Sequence, residues 1–231
     1  MSEGLVLPEG LLEISPPALA HAQRFCRLVT MADNSVIYYQ DDPSESLYFV
    51  ARGHVRLSYI SEDGLVTLNS IVPPGRSFGE AGALEGFGYC DTAFSVGVAE
   101  VIVMDLACIA QSGSLADEIR LAVARLIARR YRDHVDFTRA LYRPNLGLRL
   151  SYSLLRLLDL LGNDIRYRGR TVRCLGPVVT QRDLGAMARG TRENVNKALR
   201  QWQKEGILAL EDRHIIVLDR ARLEQVSLDV E

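Results

Sequence analysis

The stretch Val179–Leu210, VTQRDLGAMARGTRENVNKALRQWQKEGILAL, decides how the chain reads. It divides into two short amphipathic segments around Gly190. Thr180 precedes the first segment with Asp183 three places on, the spacing of a capping box, in which side chains take up backbone N–H groups that the first helical turn leaves open. Leu184 and Met187 then fall on one helical face, toward a core. Gly190 permits a turn, and Thr191 is a good cap for the second segment. There Val195, Leu199 and Trp202 recur at the spacing of a buried face, which leaves Arg192, Glu193, Asn196, Lys197 and Arg200 elsewhere on the helix. These residue types suit base edges, since arginine fits guanine in a bidentate way, glutamate accepts from cytosine and asparagine reads adenine. They occupy the first turns of the second helix, where helix-turn-helix proteins touch bases. Gln181 and Arg182, at the start of the first helix, are placed for backbone contacts. Lys204-Glu205-Gly206-Ile207 closes the second helix with a C-cap glycine. After a polar turn, Ile215-Ile216-Val217-Leu218 supplies a strand, and the whole predicts a winged helix-turn-helix.

Charge is distributed to match. The net charge of −2 conceals an acidic front and a basic rear. Residues 1–110 carry 5 Lys and Arg against 14 Asp and Glu, hence −9, and residues 111–231 carry 22 against 15, hence +7. That asymmetry fits a sensor joined to a nucleic-acid reader. The 231 residues, 48% of them apolar, suffice for real cores. Cys26, Cys90, Cys108 and Cys174 are scattered without a CxxC or a Cys/His ligand spacing, which argues against a zinc site or a disulfide framework and suits a reducing cytosol. The longest apolar segment, Val98–Ala110, is broken by Glu100 and Asp105, so no membrane span is expected and a cytoplasmic location is.

Outward from the reading helix, the texture changes twice. From Ser35 to Asp105 short runs rich in Val, Ile, Tyr and Phe alternate with turn signals such as Arg52-Gly53, Glu62-Asp63-Gly64 and Pro73-Pro74-Gly75. Such punctuation predicts a small antiparallel sandwich or barrel, with a hairpin at Glu62-Asp63-Gly64. Residues 1–30 look partly helical, opened by Pro16-Pro17. After Ser114 a helical period runs to about Tyr142 with two neighbouring apolar stripes, Leu115, Ile119, Ala122 and Leu126 in one, Val123, Ile127, Tyr131, His134, Thr138 and Leu141 in the other. One stripe covers the barrel. A second copy of the helix in a homodimer is the simplest partner for the other, and a single wide face buried against one domain is the alternative. Arg143-Pro144-Asn145 breaks the helix, and Asn145 caps the next one, Leu146 to about Leu161. Residues 163–178 form a short basic stretch with strand character. The fold class expected is α+β: a sensor β-roll over 1–114, a dimerisation helix over 115–142 and a winged helix-turn-helix over 143–231.

In this order and spacing the chain resembles the Crp/Fnr superfamily of bacterial transcription regulators. Leu47–Leu57 (LYFVARGHVRL) looks like the family's strand–turn–strand, and Pro74–Glu80 (PGRSFGE) like its PGDxFGE segment. Asn145 with Arg149-Leu150 resembles the start of the post-hinge helix, Thr191–Val195 (TRENV) its SRETV recognition motif, and Gln203–Ile207 the ending of that helix. The resemblance implies an N-terminal cyclic-nucleotide-binding-like β-roll, a homodimer, a palindromic double-stranded DNA site, RNA polymerase as a partner and a small-molecule effector.

The family's effector pocket maps to Gly79, Glu80, Asp91, Thr92 and Ala93, with His134 from the long helix as a further candidate. Members that bind cyclic AMP carry Arg-Ser/Thr-Ala in this place, the Arg pairing with the cyclic phosphate. Here the Arg position holds Asp91, and a carboxylate repels a phosphate, so cyclic-nucleotide binding in the usual way is not expected. Cys26 stands alone in the N-terminal region, which argues against the iron–sulfur cluster of Fnr-like members. The effector's identity is left open, and no metal or catalytic set is expected. The alternative reading is a β-barrel ligand-binding protein or enzyme whose C-terminal helices mediate protein interaction. Against it, the sequence has no Ser/His/Asp set, metal cluster or phosphate-binding glycine loop.

Overall fold

A computed structural model describes residues 7, 13–64, 66–84, 87–110 and 112–228. The chain forms two compact units, Met1–His134 and Val135–Glu231. The first opens with α1 (Pro16–Gln23), whose N-cap Ser15 accepts a hydrogen bond from the Ala18 amide and whose first position holds a proline. Strands follow: β1 (Cys26–Met31), β2 (Val36–Tyr38), β3 (Ser46–Ile60), β4 (Val66–Val72), β5 (Ser77–Phe78) and β6 (Thr92–Asp105). Their order is β1-β6-β3-β4, antiparallel, with β2 on β6 and β5 on β3. The hairpin expected at Glu62-Asp63-Gly64 joins β3 to β4.

Period-two alternation separates two cores. Leu47, Phe49, Ile102 and Met104 face the helices, packing with Ala18, Ala22, Ile119, Ala122, Val123 and Leu126. Tyr48, Val50, Val101 and Val103 point the other way, into the roll, with Val55, Leu57, Val72, Phe78 and Ala93. A short helix, α2 (Ala107–Ala110), leads to α3 (Ser114–Leu141). The two stripes expected on α3 resolve differently from the periodicity. Val123 is fully buried in the same core as Ile119 and Ala122, while Leu121 and Tyr131 are the large apolar side chains left exposed in this part of the helix, at 54% and 69%.

In the second unit, Asn145 Oδ1 accepts from the Leu148 amide at 2.9 Å and starts α4 (Leu146–Leu161), as expected. The basic stretch becomes a hairpin, β7 (Asn163–Tyr167) and β8 (Arg170–Leu175). Then come α5 (Gln181–Ala188), α6 (Arg192–Lys204), β9 (Leu208–Glu211), β10 (His214–Val217) and α7 (Arg220–Leu228). The sheet order is β7-β8-β10-β9. The α+β arrangement expected from the sequence is the one present. Among the described residues no helix is long and apolar enough to cross a membrane.

Candidate nucleic-acid interface and effector site

The reading helix is held by its two ends and one face. Thr180 Oγ1 accepts from the Asp183 amide at 3.1 Å while Asp183 Oδ2 accepts from the Thr180 amide at 2.9 Å, closing the capping box on α5. Thr191 Oγ1 accepts from the Asn194 amide at 3.2 Å and caps α6. Val195, Leu199 and Trp202 are buried, one per turn, and fix the helix rotation. Arg192, Glu193 and Lys197 are thereby exposed, as is the cap Thr191, and Asn196 is half-buried beside them. Arg182 is exposed and Gln181 half-buried at the start of α5. Among the described residues no carboxylate pairs with Arg182, Arg192 or Lys197.

The turn between the helices differs from expectation in one respect. Its left-handed residue is Arg189 (φ 49°), not Gly190. Gly190 is close-packed instead: a Cβ there would lie 2.6 Å from Leu146 Cδ1, the end of a side chain that would have to move aside. Gly185 has a harder constraint, because its Cβ would meet the Gly190 carbonyl oxygen at 2.7 Å. Close approach of backbone, rather than backbone freedom, selects the glycine at 185. Arg149 reinforces the corner, donating to the Ala188 and Arg143 carbonyls at 2.8 Å each.

The other candidate site lies inside the β-roll. Gly79 and Glu80 follow β5, and Asp91 leads into Thr92 and Ala93 at the start of β6. Glu80 is 3% exposed. Its Oε1 accepts from Arg130 Nε at 2.9 Å, and Arg130 Nη2 also donates to the Ser77 carbonyl at 2.8 Å. Glu80 Oε2 has no hydrogen-bond partner among the described residues. Tyr38 donates its hydroxyl to Asp91 Oδ1 at 2.9 Å. Burial pushes the Asp91 carboxyl above its ordinary value, opposed by the Tyr38 bond and the Arg130 charge. Burial, then the neighbouring Asp91, likewise raises the Tyr38 phenol. Thr92 Oγ1 accepts from the Gln40 amide at 3.0 Å, and Ala93 is wholly buried. His134 is exposed one helical turn after Arg130. Of these two helix residues, it is Arg130 whose guanidinium reaches Glu80.

Aromatic rings crowd this interior. Tyr38 stacks on Tyr89 with centroids 3.8 Å apart, and Tyr48 stacks on Phe78 at 5.1 Å. A Cβ on Gly79 would lie 3.0 Å from Tyr48, 3.2 Å from Tyr89 and 3.3 Å from Tyr38, so three tyrosines close over the Gly79 backbone. Sequence reasoning missed Arg130 and these tyrosines. One signal was available for Arg130: it continues the spacing of Val123 and Leu126, a charge in phase with a buried stripe. Cys174 is buried among Ala209 and Ile216, and burial raises its thiol, the behaviour of a small apolar residue. Among the described residues no group of three or more His, Cys, Asp or Glu could hold a metal ion.

Known proteins resemble the chain along most of its length. The family model for the cyclic nucleotide-binding domain matches residues 28–111, and that for the Crp-like helix-turn-helix domain matches residues 148–226. The transcriptional regulator LdrP of Thermus thermophilus is 30% identical over 195 residues, spanning 84% of this chain and 93% of the relative. The CRP-like cAMP-activated global transcriptional regulator of Mycobacterium tuberculosis is 24% identical over 210 residues, spanning 91% and 92%. The structure of FixK2 from Bradyrhizobium japonicum shares the fold with a TM-score of 0.74 at 24% identity, covering 89% of this chain and 99% of that one. With both domains matched in order around the geometry described, the chain belongs to the Crp/Fnr family of DNA-binding transcription regulators.

Proposed function

We propose that the chain works as a homodimer on a twofold-symmetric DNA site, with residues 1–114 as sensor, 115–142 as dimerisation helix and 143–231 as reader. It acts in the cytoplasm, with RNA polymerase as its partner. The observation that carries this reading is the exposed polar set at the N-terminal end of α6, on a helix whose opposite face is locked by Val195, Leu199 and Trp202. Arg192 contacts a guanine, Glu193 a cytosine amino group, and Asn196 and Lys197 the adjoining bases or phosphates. Thr191 holds the helix start against the groove, and Gln181 and Arg182 bind phosphates. Selection of bound sequences from a random pool tests this. Arg192→Ala should relax preference at one base pair and cost roughly 1–3 kcal/mol, whereas Arg182→Ala should weaken all sites alike. An unchanged motif with Arg192→Ala would remove α6 as the reader.

The sensor does not take a cyclic nucleotide in the way implied by the name of the M. tuberculosis relative. Asp91 stands where a phosphate needs a cation, Arg130 is already engaged by Glu80 and Ser77, and the tyrosines cover Gly79. The Arg130 guanidinium is already neutralised by the buried Glu80 carboxylate, so it is not free to receive an anionic ligand. Calorimetry with cyclic AMP and cyclic GMP checks this directly, and a tight signal from either would refute it.

A further inference from the structure

We propose that the β7–β8 hairpin is a second DNA-binding element, gripping phosphates outside the half-site read by α6; this rests on the reading of α6 as the helix in the groove. The hairpin sequence Arg166-Tyr167-Arg168-Gly169-Arg170 places three guanidiniums around a two-residue turn, and Arg166, Arg168, Gly169 and Arg170 are all exposed. Two neighbouring carboxylates are taken up by other groups. Asp164 faces Arg173 at 3.7 Å and Glu211 accepts from the Tyr167 hydroxyl at 2.5 Å. Among the described residues none pairs with Arg166, Arg168 or Arg170. Three like charges on one tip repel each other, and among the described residues no salt bridge within the chain offsets them.

The turn at the tip is tight and centred on Arg168. Arg168 occupies a left-handed position (φ 48°) followed by Gly169 (φ 80°), where asparagine or glycine at the first position would form the turn with less strain.

The Arg168 side chain is already positioned. Arg168 lies over the Tyr167 ring with its guanidinium carbon 5.1 Å from the centroid. The Tyr167–Glu211 bond fastens the tip to the end of β9, next to the wing turn where Asp212 and exposed Arg213 join β9 to β10. Ile165, Tyr167 and Val172 pack on Cys174, Ala209 and Ile216, so the hairpin is rigid against the wing sheet. The wing in turn follows α6 directly through Gly206. A preorganised arginine tip fastened to the wing fits the phosphate backbone, whose oxygens match the guanidinium fork.

The test uses the full chain and the variant Arg166→Gln/Arg168→Gln/Arg170→Gln on two duplexes. One extends about one helical turn (roughly ten base pairs) beyond each half-site, and the other ends at the half-sites. On the long duplex the variant should lose at least about tenfold in affinity near 0.1 M salt. Its plot of log affinity against log salt should flatten by about 3 to 5, since each phosphate contact contributes about 0.9 and a dimer presents two tips. On the short duplex variant and wild type should bind alike, which also reports intact folding. An unchanged salt slope on the long duplex overturns the proposal. If transcription with purified RNA polymerase then falls, the tip serves a protein instead. Equal loss on both duplexes also overturns it, by assigning the arginines to the fold or to the half-site. A wild-type protein without sequence preference on either duplex would bring down the reading of α6 itself, a separate outcome.

Discussion

Replacing Arg130 with methionine strands the Glu80 carboxylate inside the roll. Two hydrogen bonds from a charged donor are lost, one to Glu80 Oε1 at 2.9 Å and one to the Ser77 carbonyl at 2.8 Å. Each is worth about 1.5–3 kcal/mol, so a first figure is roughly 3–6 kcal/mol. The Arg130 side chain is 29% exposed, which lowers that figure because water can take part of its place. Arg130→Met should therefore cost roughly 2–4 kcal/mol. Glu80→Gln in the same background should restore most of the loss, giving a coupling of about 2 kcal/mol or more at pH 7. Urea unfolding followed by near-ultraviolet circular dichroism in the tyrosine band reports on Tyr38, Tyr48 and Tyr89 of the roll. The single tryptophan, Trp202, reports separately on the other unit. A loss below about 1 kcal/mol, or one that Glu80→Gln does not relieve, would refute the assignment of Arg130 as the counter-charge of Glu80.

Three other perturbations have definite outcomes. Because burial raises the Asp91 carboxyl in the folded chain, wild-type stability should fall as pH rises from about 3.9 through the folded value; Asp91→Asn should be the more stable protein above that window and lose its advantage below about pH 4, measured by urea midpoints. Gly185→Ala forces a Cβ to 2.7 Å from the Gly190 carbonyl, so it should cost about 1–3 kcal/mol in Trp202-detected unfolding and weaken DNA binding. Leu121→Glu with Tyr131→Glu places charges on the exposed apolar part of α3 and should yield monomers by sedimentation with DNA affinity lost, whereas a dimer that survives both changes would remove this face as the contact.

The reader was legible from the sequence because its rules are local. Capping at Thr180 and Thr191, the period of Val195, Leu199 and Trp202, and the break at Pro144 all lie within a few residues of what they control. The sensor interior was only half legible. The replacement of an expected arginine by Asp91 is visible in the chain, but its partner Tyr38 lies 53 residues away on β2. Glu80 and Arg130 are 50 residues apart, and pairing at that range depends on how α3 lies against the roll. Periodicity gave α3 two apolar stripes without saying which was covered. The structure puts Val123 inside and leaves Leu121 outside, because the sheet face offered by Phe49, Ile102 and Met104 selects the helix rotation. The glycine at 190 was identified for a sound position and an incomplete reason, since Leu146 comes from a helix more than forty residues upstream.

The division between the two units falls at His134 and Val135, inside the 28 residues of α3. Phe137 and Ala140 are core residues of the second unit, and the Arg156 guanidinium lies over Phe137 at 5.2 Å, while Ile119, Ala122 and Val123 are core residues of the first. A protein chemist seeking separate halves has no neutral place to cut. Ending a fragment at His134 exposes the carbonyls of an interrupted helix, and beginning one at Asn145, where a natural cap exists, discards Phe137. Independent fragments of both halves would each have to carry Ser114–Leu141, so that the helix is duplicated rather than divided.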